Sequence, residues 1–151
     1  MKYYRNNNLT NIENNITYIC NMISKKTILI TNNPKIAEEV HSKNVEVMYF
    51  PDSDFMDILC KARDYIHSCY KLLTHPIVSS IKPYETPYKS IVLANNDEGN
   101  VDIESLELIE GSIALTRNFL DKPRRKLTEA IDEDFKLIDY KLVVGAIDGI
   151  L

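Results

Sequence analysis

The sequence predicts an α/β fold, a three-layer sandwich in which helices cover both faces of a four-stranded, mostly parallel sheet. Strand-like and helix-like segments alternate through the first half of the chain, and this order builds a parallel sheet covered on both faces. The 151 residues, of which 44% are hydrophobic and 26% charged, suit one globular domain. No repeat or low-complexity linker divides them, so we expect residues 1–151 to form a single α/β domain.

The first elements can be read from short patterns. Residues 9–24 carry apolar side chains at three- and four-residue intervals, which predicts an amphipathic helix. Residues 27–30 (TILI) form a β-branched run that is typical of a buried strand. A helix from Pro34 to about Lys43 follows, because proline suits the first helical position and Asn33 suits the cap before it.

The pattern then repeats once. Residues 45–50 (VEVMYF) predict a second strand, and residues 55–69 carry a full apolar stripe at helical spacing. We expect Ser53 to cap that helix, because serine favours the position before the first helical turn. Residues 70–74 (YKLLT) predict a third strand, which ends before a proline.

The second half of the chain is organised differently. Residues 76–88 contain three of the six prolines and show no helical period, so they predict a long ordered loop. A fourth strand is expected at residues 90–94, followed by helices at about 102–120 and 126–148. The apolar stripes of these helices comprise Ile103, Leu106, Ile109, Ile113 and Leu120 in the first, and Leu127, Ile131, Phe135, Ile138 and Leu142 in the second.

These terminal helices complete the domain organisation. Residues 1–24 would form an N-terminal helical extension, and residues 101–151 a helical pair packed on the sheet.

The direction of the fourth strand is open. The loop before it is long enough for a parallel crossover, but it contains no helix, so we favour an antiparallel fourth strand.

The distribution of glycine excludes two kinds of nucleotide site. The first of the four glycines is Gly99, so residues 1–98 contain none. A dinucleotide-binding fingerprint needs glycines for a tight turn and for close approach of the backbone to the pyrophosphate. A Walker-type phosphate loop needs them for the same reason. Neither motif can therefore follow the first strand.

Charge and cysteine content narrow the function further. The net charge of −4 argues against a dedicated nucleic-acid binder, and no apolar run approaches the ~18 residues of a membrane span. The three cysteines contain no Cys-x-x-Cys pair, which favours a reduced, cytoplasmic setting. The spacing of His67, Cys69 and His75 matches no zinc pattern, so we predict neither a metal site nor a cofactor.

Polar residues collect where the predicted strands end. In an open α/β sheet, ligands bind outside the carboxyl ends of the strands, where loops and helix N-termini meet. Asn32 and Asn33 follow the first strand, and His75 follows the third, immediately before Pro76. Backbone N–H groups at a helix start favour a small anion. An imidazole can bind an anion or transfer a proton near neutral pH.

The loop between the third and fourth strands adds further polar groups. Residues 79–89 include two lysines, a glutamate and two tyrosines, and their prolines lower the entropy lost when the loop is ordered. We therefore expect this loop to lie across the strand ends and bind a small anionic molecule. The candidate ligand-binding residues are Asn32, Asn33, His75, Lys82, Glu85, Thr86, Tyr88 and Lys89.

Structural roles are open at the same positions. Asn33 can act as a helix cap alone, because Asn-Pro is a common turn opener. His75 can hold the following loop by hydrogen bonding without contacting a ligand. The loop itself can be a rigid surface segment whose charges pair with one another.

Three segments resemble the GrdX-type proteins, which are small proteins encoded beside glycine, sarcosine or betaine reductase systems in amino-acid-fermenting anaerobes. They are residues 28–34 (ILITNNP), 71–76 (KLLTHP) and 82–91 (KPYETPYKSI). The likeness spans roughly residues 26–95, and its third segment is the most specific. It implies a cytoplasmic accessory protein near reductase chemistry, and it assigns no catalytic residues to this chain.

Three functions follow as hypotheses. The first is an accessory protein that binds a small anionic metabolite or a reductase component at the carboxyl edge of the sheet. The second is a small enzyme in which His75 is the general acid or base, Lys82 or Lys89 holds an anion and Glu85 orients His75. The third is a homodimeric interaction module formed through the terminal helices. Neither a membrane nor a nucleic acid is an expected partner.

Overall fold

The computed structural model describes residues 27–77, 82–83, 85–123 and 126–150. The elements in chain order are β1 (Thr27–Thr31), α1 (Pro34–Glu39), β2 (Val45–Tyr49), α2 (Phe55–His67), β3 (Tyr70–Leu72), β4 (Ser90–Asn95), α3 (Ile103–Leu120) and α4 (Glu129–Ile150). The helix predicted over residues 9–24 lies outside the described residues.

The four strands form one mixed sheet in the order β2-β1-β4-β3. β1 pairs in parallel with β2, whereas β4 is antiparallel to both β1 and β3. The prediction of a mostly parallel sheet is therefore wrong, and the antiparallel fourth strand is confirmed. The physical reason is the connection between β3 and β4, which shows no helix in its described residues and turns the chain back between two strands that run the same way.

The sheet carries helices on both faces. Alternate residues of a strand point to opposite faces. On one face, Ile28 and Ile30 of β1 pack in a core with α2 and α3. On the other face, Leu29 packs in a second core with α1 and with Val143 of α4. A one-residue change of register would therefore exchange the two cores.

The helix ends follow local capping chemistry. Asn33 caps α1 as predicted, with its side chain accepting a hydrogen bond from the N–H of Lys35. The helix is shorter than predicted, since it ends at Glu39. Ser53 is not the cap of α2: Asp54 and Asp57 form a capping box, in which each side chain accepts from the other's backbone N–H at 2.9 Å.

The predicted stripes of the last two helices fit only in part. In α3, Ile109 and Ile113 are buried, but Ile103 at the helix start is 62% exposed. In α4 the core-facing residues are Val143 and Ile147, which lie off the predicted stripe. Within the described ranges, the helices are too short or too polar to cross a membrane.

Candidate functional site

A cavity of about 240 Å³ lies at the sheet edge where β4 begins. Ser90, the first residue of β4, pairs with Thr31, the last residue of β1. Leu73, just after β3, donates its N–H to the carbonyl of Val92 at 2.9 Å. The ends of β1 and β3 therefore meet the start of β4 here, and α4 forms the remaining wall. The polar lining residues include Thr74, His75, Thr86, Lys89, Ser90 and Asp139.

Lys89 is the most unusual residue of the cavity. It is only 6% exposed, and its ammonium lies 5.8 Å from the centre of the Phe55 ring. Burial lowers the pKa of Lys89 to about 8, while attraction by Asp139 opposes this effect. A buried lysine is costly unless an anion or hydrogen-bond acceptors replace its hydration. Among the described residues, the ion pairs do not include Lys89.

Asp139 brings a negative charge to the same cavity from α4. Its Oδ2 accepts hydrogen bonds from Asn33 Nδ2 at 2.9 Å and from Ser90 Oγ at 2.7 Å. Burial raises the pKa of Asp139, and these two hydrogen bonds and the charge of Lys89 act in the opposite direction. The two hydrogen bonds hold the carboxylate in one position.

A chain of hydroxyl groups supports that carboxylate. Because a carboxylate only accepts, the Ser90 hydroxyl donates to it, and the Thr31 hydroxyl donates in turn to Ser90 Oγ at 2.6 Å. The N–H of Asn33 donates to Thr31 Oγ1 at 2.9 Å. These bonds connect the end of β1, the start of β4 and α4, so the polar part of the cavity is rigidly built.

Asn32 positions the backbone of Lys89 and does not line the cavity. Its Oδ1 accepts from the N–H of Lys89 at 2.7 Å. Its Nδ2 donates to the carbonyls of Ser53 and Pro87 at 3.0 and 2.9 Å. All polar atoms of this buried amide are thus used in holding the loop against the sheet. The bond from Asn32 to the Ser53 carbonyl also holds the segment before α2 against the end of β1.

Tyr88 fastens the loop to α4. Its hydroxyl donates to Asp132 Oδ1 at 2.9 Å, and Lys136 donates to the other oxygen of Asp132 at 2.8 Å. Burial, followed by the hydrogen bond to Asp132, raises the pKa of Tyr88 to about 12. The phenol therefore stays protonated at neutral pH and serves as a donor.

The remaining predicted residues are divided between the cavity and the surface. His75 and Thr86 line the cavity. The N–H of Ile77 donates to His75 Nδ1 at 3.1 Å. Glu85 and Lys82 are exposed and share a turn, in which Glu85 Oε2 accepts from the N–H of Lys82 at 3.4 Å. His75 and Glu85 therefore have separate partners, and neither orients the other.

The sequence reasoning missed the contribution of α4. Phe135, Ile138 and Leu142 line the cavity together with Asp139, although their spacing predicts a core-facing stripe. The missed signal is that α4 has two apolar stripes, because Val143 and Ile147 also recur at helical spacing. One stripe is sufficient for the sheet, so the other is available to line a cavity.

The described residues contain no group of three or more histidine, cysteine, aspartate or glutamate side chains that could hold a metal ion.

Residues 28–148 match the family model described as GrdX-like protein. This match extends through α4, further than the motifs in the first part of the chain. No curated protein and no solved structure matches the chain at a significant level.

Proposed function

Because the chain belongs to the GrdX-like family, we propose that it is a cytoplasmic accessory protein of a glycine reductase-type system. In this proposal it binds a small metabolite through an anionic group, and the binding site is the cavity beside Lys89. His75, Thr86 and Tyr88 line the same cavity. Asn32 and Asn33 support the site from behind, and Lys82 and Glu85 stay outside it.

The observation that carries this proposal is the buried ammonium of Lys89. The side chain is only 6% exposed and lines the cavity, and the pKa of Lys89 is lowered because burial disfavours the charged form. An anionic ligand group would restore the favourable interactions that the ammonium lost on burial. Binding of the anion would then offset the free-energy cost of burying Lys89.

The size of the cavity supports a small ligand. Its volume of about 240 Å³ lies below the roughly 300–1,000 Å³ typical of sites for drug-sized molecules. The hydrogen bonds of Asn32 fix the loop before any ligand enters, and a preorganised site loses less entropy on binding. A binding role is favoured over catalysis because His75 and Glu85 are not arranged as a dyad.

The experiment is isothermal titration calorimetry at pH 7 with phosphate, acetate, acetyl phosphate and small amino and hydroxy acids. We expect at least one of these ligands to bind the wild-type chain, and Lys89→Met to abolish the heat. Lys141→Met is the matched control, because Lys141 is an exposed lysine of α4. If no ligand gives heat, or if Lys89→Met binds as well as the wild type, the proposal is wrong.

A second candidate function is a homodimer or a complex with a reductase component. Leu108 and Leu115 lie two turns apart on the same face of α3 and are 38% and 45% exposed. Neighbouring exposed apolar side chains on one helix face favour a protein–protein interface. Sizing chromatography with light scattering tests this, and a strict monomer at high concentration would exclude the homodimer.

A further inference from the structure

Two opposite charges face the cavity without contacting each other. Lys89 approaches from the loop before β4, and Asp139 approaches from α4. Ser90, which directly follows Lys89 in the chain, donates a hydrogen bond of 2.7 Å to Asp139, so the two charged residues are close in space. Among the ion pairs of the described residues, however, there is none between them. A ligand that carries both charges could occupy the space between the two groups.

Asp139 is held so that part of its carboxylate stays available. Both of its side-chain hydrogen bonds, from Asn33 and Ser90, go to Oδ2. Within the described part of the chain, no side chain donates a hydrogen bond to Oδ1. The backbone N–H of Ser90 also acts on the carboxyl group, but each carboxylate oxygen has two lone pairs, so Oδ1 can accept from a ligand while Oδ2 keeps the carboxylate in place.

An apolar wall lies next to these charges. Phe135, Ile138 and Leu142 follow one another at helical spacing along α4, on either side of Asp139 in sequence. Ile138 and Leu142 are 39% and 42% exposed, so they are not part of the closed core. The cavity thus combines a cation, an anion and an apolar surface.

We infer that the cavity takes a zwitterionic amino acid with an apolar side chain. The ligand's carboxylate binds Lys89, its ammonium donates to Asp139, and its side chain lies against Phe135, Ile138 and Leu142. This inference rests on the proposed function for the use of Lys89 as the anion-binding group. It adds the requirement for an ammonium group and for an apolar side chain.

Charge balance favours this ligand over a simple anion. An anion without an amino group would satisfy Lys89 and bring a second negative charge towards Asp139, and like charges repel strongly in a poorly solvated site. A zwitterion neutralises both protein charges and forms charge-assisted hydrogen bonds at both ends. An amine without a carboxylate would satisfy Asp139 and repel Lys89.

The test is a matched ligand series on the wild-type chain, measured by calorimetry at pH 7. Leucine is compared with 4-methylpentanoate, which lacks the amino group, with 3-methylbutylamine, which lacks the carboxylate, and with glycine, which lacks the side chain. We expect leucine to bind at least about tenfold more tightly than each of the others, since a charge-assisted hydrogen bond or the burial of a leucine side chain is each worth about one factor of ten or more. Phenylalanine and 3-phenylpropanoate repeat the comparison with a larger side chain.

The variant Asp139→Asn sharpens the test. It keeps an oxygen acceptor for Asn33 and Ser90 but removes the negative charge, so the preference for leucine over 4-methylpentanoate should fall about tenfold or more. Asp148→Asn is the control, because Asp148 is an exposed carboxylate on the same helix. If Asp139→Asn does not fold, the ligand series on the wild type still decides.

The outcomes separate this inference from the proposed function. If 4-methylpentanoate binds as tightly as leucine and Lys89→Met abolishes both, the anion site stands and the amino-acid inference is wrong. If glycine binds as tightly as leucine, the apolar wall takes no part and the inference is wrong in that respect. If no ligand in either panel binds, the proposed function fails as well.

Discussion

Asn33 Nδ2 donates a hydrogen bond of 2.9 Å to Asp139 Oδ2, and so joins the cap of α1 to a helix 106 positions later in the chain. The same amide nitrogen donates to the carbonyl of Lys136 at 2.9 Å, while Oδ1 accepts from the N–H of Lys35. One side chain thus caps a helix and fixes the carboxylate of the candidate site. A cap needs only the oxygen of this amide, whereas the contact with α4 needs its nitrogen.

Asn33→Asp separates these two roles. Aspartate caps a helix about as well as asparagine, so α1 keeps its acceptor. The new carboxylate cannot donate to Lys136 or Asp139, and it places a second negative charge beside Asp139. We expect a loss of about 2–4 kcal/mol in the free energy of unfolding at pH 7, measured by urea denaturation.

The double variant Asn33→Asp/Asp139→Asn is the control for that prediction. It restores one amide and one carboxylate with their positions exchanged, so most of the lost stability should return. A single variant as stable as the wild type would show that the contact between Asn33 and Asp139 contributes nothing to folding.

Lys89→Met should stabilise the folded chain although it removes the proposed anion site. At pH 7 the folded protein must bury a charged lysine whose pKa is lowered from 10.5 to about 8. A difference of this size corresponds to about 3 kcal/mol. We expect Lys89→Met to raise the free energy of unfolding by about 1–3 kcal/mol, measured by urea denaturation, because methionine fills similar space without a charge.

The pH dependence provides an independent check on Lys89. Between about pH 8 and pH 10.5 the unfolded chain keeps the Lys89 proton and the folded chain has lost it. Stability therefore rises with pH in this window, because the unfolded state binds more protons. Subtracting the profile of Lys89→Met isolates this contribution. A flat difference between the two profiles would show that Lys89 titrates normally.

Leu142 and Val143 are neighbours on α4 with different expected effects. Val143 is buried in the core, so Val143→Ala should lower the free energy of unfolding by about 1–3 kcal/mol. Leu142 is 42% exposed and lines the cavity, so Leu142→Ala should cost less than about 1 kcal/mol. In calorimetry, Leu142→Ala should weaken the binding of an apolar amino acid severalfold, whereas Ile147→Ala, a core substitution outside the cavity lining, should leave the affinity unchanged. Equal stability losses would argue against the observed rotation of α4.

Tyr88→Phe removes one hydrogen bond between the loop and α4. The phenol donates to Asp132 and is half-buried, so we expect a loss of about 1 kcal/mol in urea denaturation. Tyr49→Phe, on the edge strand β2, is the matched control and should change stability little. In an ultraviolet pH titration, Tyr88→Phe should also remove a tyrosine that ionises near pH 12. A loss of absorbance change near pH 10 instead would contradict the assigned hydrogen bond.

Local chemistry explains why parts of the molecule can be predicted. The run at residues 27–30 becomes β1, and Asn33 followed by Pro34 starts α1, because both depend on neighbouring residues in the chain. The cap of α2 shows the limit of this reasoning. Ser53 and Asp54 are both good caps, and only the hydrogen bonds with Asp57 decide in favour of Asp54.

Only the part of the candidate site that lies near the strand ends could be predicted from the sequence. Lys89, Tyr88 and His75 follow from their position near strand ends and prolines, and the structure brings them to one cavity. Asp139 has no local signal, because its role depends on how α4 is rotated against the sheet. Lys82 and Glu85 belong to the same polar loop as Lys89, but they do not line the cavity and share an exposed turn.

For the described residues, the sequence by itself determined the types and approximate positions of the strands and helices, because apolar periodicity and capping residues act over a few neighbours. Only the tertiary structure decided that β4 enters between β1 and β3, and that α4 turns Val143 inward and leaves Leu142 at the cavity. Strand order and helix rotation depend on which distant surfaces bury the most apolar area together, and that quantity is a property of the assembled fold.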